Sequence, residues 1–569
     1  MKSHEGMSIS CATLAMKVAS LALAGTGVIA SVCASEVGAT PGESVRRARR
    51  IIAAGWDFGN VSLKNFAQET NAIARLPLDG VRFSLHGKFK DRDYVAATHK
   101  AMDGVDWPWD VFDDQLETAR AIASLPNMRH CFIGVRGAPN RRIAWTDDKG
   151  WGSVAHNFAV LARFARKAGF KGLIMDCEDY KKAKQFFLAE DDPELSETRL
   201  LARRRGREIH KAIFAEYPDM TLFRWQFLNP DKTAFERCDD VTLFNTAGRQ
   251  ALSVYFINGI YDVLPESARI VSAEEHLYDR LAEKGDFFRG YALEKRYDAS
   301  RLDPQHRVKF QMQTSIGFAL YLDAFRSDNA KSPYYRNPDL YGSHVDCLLA
   351  NVEQAAKITD EYVWLWGEMR GWAHWKNSVW VNRKTWEEEL PGLSEGLCRI
   401  KDPIGYACRK LAQLRAAGAS NLVDNASCET TRGYGSWQRE PRPNARFDAD
   451  PAMGCRAAGA LRLTDFRGCA TKFLTGLKPG QRYLLAVRCK SEGDAGVGAN
   501  LSWRRGDKWD FKINGRMFDD AGEERRGWRL LVGMAVVPET IDGMGVCLTA
   551  ESRKGQRVWF DDLEVYELK

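Results

Sequence analysis

The chain has 569 residues, of which 45 % are hydrophobic and 28 % charged, so it is too long for one core and too apolar to be mainly disordered. A net charge of +7 over that length excludes a strongly polybasic nucleic-acid binder. The RRARR (46–50) and ARRRGR (202–207) runs read as solvated helix faces, the alternative being contact with an acidic or sulfated polysaccharide.

The first segment reads as a leader. Lys2 and Lys17 precede the apolar, small-residue run VASLALAGTGVIA (18–30), and Val32-Cys33-Ala34 supplies small residues for a cleavage site. The expectation is a signal peptide over 1–34 and export to a periplasmic, extracellular or cell-surface location. No later run approaches the roughly 20 apolar residues of a membrane span.

From residue 50 to about 370, short β-type runs alternate with longer helical patterns. The runs are RIIAAGWDF (50–58), DGVRFSLHG (79–87), RHCFIGVRG (129–137), KGLIMDCED (171–179), MTLFRWQFL (220–228), ARIVSAEEH (268–276), RVKFQMQTS (307–315) and EYVWLWGEM (361–369). Between them, stretches such as VAHNFAVLARFARKAG (154–169) carry apolar residues at three- and four-residue steps, as helices lying on a sheet do. Eight such units predict an α/β fold, a (β/α)8 barrel of the TIM type over 45–419. An open doubly wound sheet would want a Gly-rich phosphate turn after its first strand, and none occurs there. From residue 420 the chain changes to short alternating strands punctuated by Gly, Pro, Asn and Asp, which predicts an all-β sandwich of jelly-roll type over 420–569.

Thirteen cysteines include no CxxC pairs of the metal-binding kind, so a zinc site is not expected. Cys398 with Cys408 and Cys455 with Cys469 are close enough in sequence to be disulfide candidates, and spacing does not choose between a bridge and buried thiols.

In a (β/α)8 barrel the C-terminal ends of the strands open onto the active-site face. Polar residues at those ends are therefore candidate functional groups. GLIM is core, whereas Asp176 and Glu178 follow it and share one side of the strand. SAEEH adds Glu274 and Glu275, LWGEMRGW adds Glu368, and the first strand adds Asp57 beside Trp56. Trp225, Trp364, Trp366 and Trp372 lie at or near the same ends, in a chain with 17 Trp, 17 Tyr and 28 Phe. Aromatic faces in such numbers either pack cores or stack on ligand rings.

Carboxylates with aromatic platforms, without HExxH, GxSxG or a P-loop, fit cleavage of a glycosidic bond. In that chemistry one carboxylic acid protonates the leaving oxygen while a second attacks the anomeric carbon or activates water. Glu178 is the expected acid, with Asp176 orienting it. Glu368 is the expected nucleophile or base, with Glu275 as the second choice. Trp56, Asp57, Tyr180, Trp225, Trp366 and Trp372 are candidate substrate contacts. For each acid the competing role is a helix cap or a salt bridge, and Asp179 is assigned to that role.

GFKGLIMDCEDY (169–180) resembles the GFDGxDxDxEY signature of chitinase-like family 18 glycoside hydrolases, through Gly169, Phe170, Gly172, Asp176, Glu178 and Tyr180. Lys171 and Ile174 stand where that family carries acids. The resemblance implies Glu178 as proton donor and Asp176 as an aid to a substrate acetamido group. The C-terminal part is similar to CenC-type carbohydrate-binding modules of families 4, 9 and 22, through NLVDNASCETT (421–431), Trp437, LKPGQRYLLAVRCKSE (477–492) and VWFDDLEVYEL (558–568). This second resemblance implies a glycan-binding jelly roll with Trp437 and Trp509 as candidate platforms. It also implies a structural calcium near Glu429 and Asp561, with Cys428 in place of the usual Phe.

The expected protein is thus a secreted glycoside hydrolase acting on a poly- or oligosaccharide, with no cofactor for catalysis and no nucleic-acid or membrane partner. Two rivals remain: a noncatalytic surface lectin, and a polysaccharide lyase using His86 beside Arg82.

Overall fold

The computed structural model describes residues 50–569 except 90–91, 179–182, 226–251, 276, 279–284, 328, 330, 332–341, 377, 514 and 569. The leader, Asp179 and Tyr180 lie outside the described residues. Residues 49–569 form one compact unit.

Ten strands make up the first part: β1 Arg50–Ala53, β2 Gly80–Phe83, β3 His86–Phe89, β4 Arg92–Ala96, β5 Phe132–Arg136, β6 Gly172–Asp176, β7 Thr221–Trp225, β8 Arg269–Glu274, β9 Thr314–Tyr321 and β10 Tyr362–Trp366. β3 and β4 form a separate hairpin, and the other eight close into a parallel barrel in the order β1-β10-β9-β8-β7-β6-β5-β2. The longer helices around it are α1 Leu116–Ser124, α2 Asp148–Ala168, α3 Leu195–Glu216, α4 Ser253–Val263, α5 Asp286–Arg301, α6 Arg307–Gln313, α7 His344–Ile358, α8 Leu393–Lys401 and α9 Pro403–Ala416.

Alternation along the strands divides the apolar residues into two layers. Ile52, Phe132, Ile174, Phe223, Val271 and Tyr362 fill the barrel interior, whereas Ile51, Ile133, Leu173, Leu222 and Ile270 belong to the larger core under the helices. α2 shows how one unit is built. The Asp147 side chain caps its start by accepting from Gly150 N at 2.9 Å. Trp151, Val154, Phe158, Leu161 and Ala165 form its buried stripe. Gly169, at φ 78°, ends it in the left-handed conformation that glycine adopts most cheaply, and the chain then enters β6.

The seventh barrel strand is not where alternation put it. RVKFQMQ is helix α6, with Phe310 inward and Val308 and Met312 about three-quarters exposed, and the strand is the following TSIGFALY. A barrel strand is covered on both faces, so it reads as a continuous apolar run, and the alternating stretch beside it is the misleading signal.

The second part has twelve strands: β11 Tyr434–Gln438, β12 Arg446–Asp450, β13 Ala460–Thr464, β14 Arg467–Thr475, β15 Arg482–Ser491, β16 Gly496–Arg505, β17 Lys508–Trp509, β18 Arg516–Met517, β19 Asp519–Arg525, β20 Trp528–Val536, β21 Gly543–Glu551 and β22 Arg557–Leu568. They form two antiparallel sheets, β11-β14-β21-β16-β17, with β18 also paired to β16, and β12-β13-β22-β15-β20-β19. Leu461, Leu485, Val487, Leu501, Val546, Leu548 and Val565 lie in the core between them.

Helix α9 covers part of the outer face of the second sheet. Ala407 and Leu411 pack on Leu484, Ala486, Leu530, Val532, Tyr566 and Leu568. Arg415 closes this seam with a two-pronged ion pair to Glu564, at 2.9 and 2.6 Å. The described cysteines are free thiols. Cys455 packs with Trp528 and Trp559 on the second sheet, whereas Cys469 lies on β14 of the first.

Candidate active site

The barrel strands end around a hollow of about 260 Å³ lined by Asp176, Glu178, Glu275, Glu368, Trp56, Trp225 and Trp366. These seven come from the C-terminal ends of β1, β6, β7, β8 and β10 or the residues just beyond. Arg82, Arg136, Tyr278, His99 and Asn60 complete the wall.

Stacked indoles make the floor. Trp225 and Trp364 lie 5.0 Å apart and nearly parallel, and Trp366 stands edge-on to Trp225 at 5.1 Å. Trp225 is only 2 % exposed whereas Trp56 is 42 % exposed, so the first closes the barrel interior and the second offers a free face at the rim. Trp56 is brought to Trp366, at 6.3 Å, by a close approach of backbones: its N–H donates to Gly367 O at 2.9 Å. A Cβ on Gly55 would sit 2.3 Å from that same oxygen, which explains glycine there.

Each acid has a distinct setting. Asp176 accepts the Glu178 N–H at 2.9 Å, fixing the turn that carries Glu178 over the hollow. Burial pushes the Asp176 carboxyl up, opposed by the Glu178 N–H and by the charges of Arg82 and Arg136. Glu368 accepts the Trp366 indole N–H at 2.9 Å and the Tyr321 hydroxyl at 3.2 Å, and its own N–H donates to Asp323 at 2.8 Å. Tyr321 in turn stacks on Tyr278, with ring centres 5.3 Å apart. Glu275 is half-buried beside them.

Arg82 is a buried cation in this wall. Its guanidinium lies 5.1 Å over the Trp225 ring and donates weakly to Ala54 O at 3.4 Å. Burial lowers its pKa to about 10, with Asp176 as the opposing charge. A Cβ on Gly134 would stand 2.1 Å from its Nε, so glycine there makes room for the side chain.

Three candidates fall outside the hollow. Asp57 is fully buried and accepts the Phe58 and Trp372 N–H groups, at 3.1 and 3.1 Å. It ties the first strand end to the loop after β10 and does not face the hollow. Trp372 is 8 % exposed and packs in the outer core. His86 is held near pKa 4 by burial and does not line the hollow. Sequence reasoning missed Tyr321, Tyr278, Arg136, His99 and Asn60. Tyr321 was lost with the misplaced strand, and Arg136 was visible at the end of FIGVR but carries no acid signal.

On the sandwich, Trp437 and Trp509 lie on the outer face of the first sheet. Trp437 is 61 % exposed and opposes Cys469. The Trp509 ring lies over Gly545, where a Cβ would meet it at 2.2 Å, and it clusters with Phe473 at 5.5 Å and Phe511 at 6.3 Å.

Glu429 and Asp561 both border the 454–459 loop. Glu429 packs on Gly459, and Asp561 accepts the Cys455 N–H at 2.6 Å. Burial lifts Asp561 to about 6, a setting a divalent cation would reverse. Among the described residues no group of three His, Cys, Asp or Glu could hold a metal, so an ion there would depend on backbone carbonyls.

No protein-family description and no curated protein matches the chain. Solved structures do. The CBM22-1-GH10 modules of the Clostridium thermocellum endo-1,4-beta-D-xylanase 10B, complexed with xylohexaose, match at 15 % identity and TM-score 0.21, over 26 % of this chain and 29 % of that one. TmCBM61 in complex with beta-1,4-galactotriose matches at 14 % and TM-score 0.20, over 26 % of this chain and all of that one. The Bacteriophage CBA120 tailspike protein 4 enzymatically active domain matches at 12 % and TM-score 0.22, over 26 % of this chain and 22 % of that one. Likeness at this level assigns no family.

Proposed function

We propose that the protein is an exported glycoside hydrolase whose barrel cleaves a poly- or oligosaccharide and whose sandwich holds the same glycan. The observation that carries this reading is one tryptophan-walled hollow at the strand C-termini lined by four carboxylates, Asp176, Glu178, Glu275 and Glu368. Glu178 is the proton donor. It stands beyond the strand end, on a turn fixed by Asp176, and lines the hollow where a leaving oxygen would lie. Glu368 is the opposing nucleophile or base. Two neutral donors, from Trp366 and Tyr321, hold its oxygens, which suits an acceptor-only carboxylate awaiting an anomeric carbon or a water. Trp56 supplies a stacking face at the rim.

The open face bearing Trp437, Phe473 and Trp509, on the sheet that does not pack on α9, is the glycan platform. A binder fixed to the barrel raises the local concentration of the catalyst on a polymer. Calcium at Glu429 and Asp561 would brace the 454–459 loop without entering the chemistry.

The test is a screen of the full chain against plant, algal and mucin glycans with product analysis, repeated with Glu178→Gln. Turnover should fall by orders of magnitude while fold and glycan retention persist. Retention by the wild type with no turnover of any glycan would favour a lectin, and unchanged turnover in the variant would remove Glu178 from the mechanism.

A further inference from the structure

A separate hollow of about 330 Å³ opens in the sandwich, lined by Arg456, Lys490, Arg525, Arg526, Trp528 and the 452–457 backbone. Its cations come from three segments far apart in sequence: the loop after β12, the end of β15 and the β19–β20 turn. No carboxylate lines it. Arg526 at φ 50° and Gly527 at φ 81° form a left-handed turn that projects consecutive arginines to one place.

The acids nearby are already engaged. Glu523 accepts the Gly527 N–H at 2.9 Å, Glu524 accepts the Arg488 Nε at 2.6 Å, and Asp520 pairs with Arg529. Asp562 stands 3.1 Å from Arg488 and a long 3.8 Å from Arg456. No ion pair joins Lys490, Arg525 or Arg526 to a carboxylate among the described residues. Four like charges around one concavity repel one another unless an anion sits between them. The floor is buried, with Trp528 2 % exposed and Cys455 8 % exposed.

We propose that this hollow binds the anionic substituents of an acidic polysaccharide, either sulfate esters or uronate carboxylates; the identification of the polyanion as a glycan rests on the function proposed above. Guanidinium forks match both anions in geometry, and a sugar chain presents such groups at regular spacing. The site would read a glycan by its charge, where the Trp437–Trp509 face would read it by its ring faces.

The experiment measures affinity of the full chain for polygalacturonate, a sulfated galactan, neutral xylan and duplex DNA, with and without Arg525→Gln/Arg526→Gln. Both side chains are exposed, and a melting curve checks that the variant folds. Lys490→Gln is the second variant if it does not. The expected result is retention on at least one charged glycan, weakened at least tenfold in the variant and with a shallower salt dependence, while any neutral-glycan binding is unchanged. The arm that binds names the anion. No binding to either charged glycan, or equal affinity of variant and wild type, overturns the proposal. So does DNA binding of equal strength lost in parallel, which would make the hollow a general polyanion surface. Retention lost in the arginine variant but kept in Glu178→Gln supports this site whether or not any glycan is cleaved, so the failure of the hydrolase reading would be visible separately.

Discussion

The Trp366 indole N–H donates to Glu368 Oε1 at 2.9 Å, so the residue that walls the hollow also aims one of its acids. Strand β10 and the turn after it thus deliver platform and carboxylate as one unit, with Tyr321 from the neighbouring β9 holding the other oxygen.

Replacing that indole by Phe keeps the apolar wall and deletes the donor. A hydrogen bond to a charged group contributes about 1.5–3 kcal/mol, so Trp366→Phe should lower kcat roughly 10- to 100-fold, by the same principle, with KM little changed. Tyr321→Phe should have a smaller effect, its contact being longer at 3.2 Å. Steady-state kinetics on the substrate found by screening checks both, and an unchanged kcat in Trp366→Phe would separate Glu368 from the chemistry.

Asp57 makes stability depend on pH. Burial raises its pKa from 3.8 to about 8, against the Trp372 and Phe58 N–H groups that lower it. The folded chain therefore keeps a proton that the unfolded chain releases above pH 4, and the stability Asp57 contributes is lost as pH rises through 8. Melting temperature should fall as pH rises from about 4 to about 8 and level off above that. Asp57→Asn should flatten that slope while costing about 1–3 kcal/mol, because its NH2 opposes one of the two backbone donors. Thermal melts across this range decide the matter.

The seam between barrel and sandwich rests on few side chains. Leu411 is 1 % exposed among Leu484, Leu530 and Tyr566, and Leu411→Asp would bury an unpaired charge there. Calorimetry should change from one endotherm to two, with barrel turnover retained. A single endotherm at the wild-type temperature would mean that α9 is not what couples the two parts.

Cys469 and Cys547 share one strand pair, Cys469 opposite Thr549 and Cys547 opposite Thr471. Thr471 Oγ1 lies 3.5 Å from one sulfur and 3.8 Å from the other. Hydrogen bonding from Cys547, with a smaller contribution from Thr471, pulls the Cys469 thiol below its usual range. Cys469 should therefore be alkylated by iodoacetamide at pH 7 before any other described cysteine, as peptide mapping would read. Cys547→Ala, which deletes the donor, should slow it.

Periodicity and composition were enough for two things: eight alternating units that close as a parallel barrel, and an alternating, turn-rich remainder that forms two antiparallel sheets. GLIMDCE was legible because a core strand that stops abruptly in acids has few structural reasons to do so. Local pattern also misled, since RVKFQMQ alternates yet is helical, and Asp57 sits at a strand end yet serves as a buried tie between backbones. Which carboxylates meet, which tryptophan is floor and which is rim, and which basic residues converge were decided only by tertiary packing. Barrel closure brings together strand ends that lie up to some 300 residues apart in the chain, and a charge's environment belongs to those neighbours rather than to its own segment.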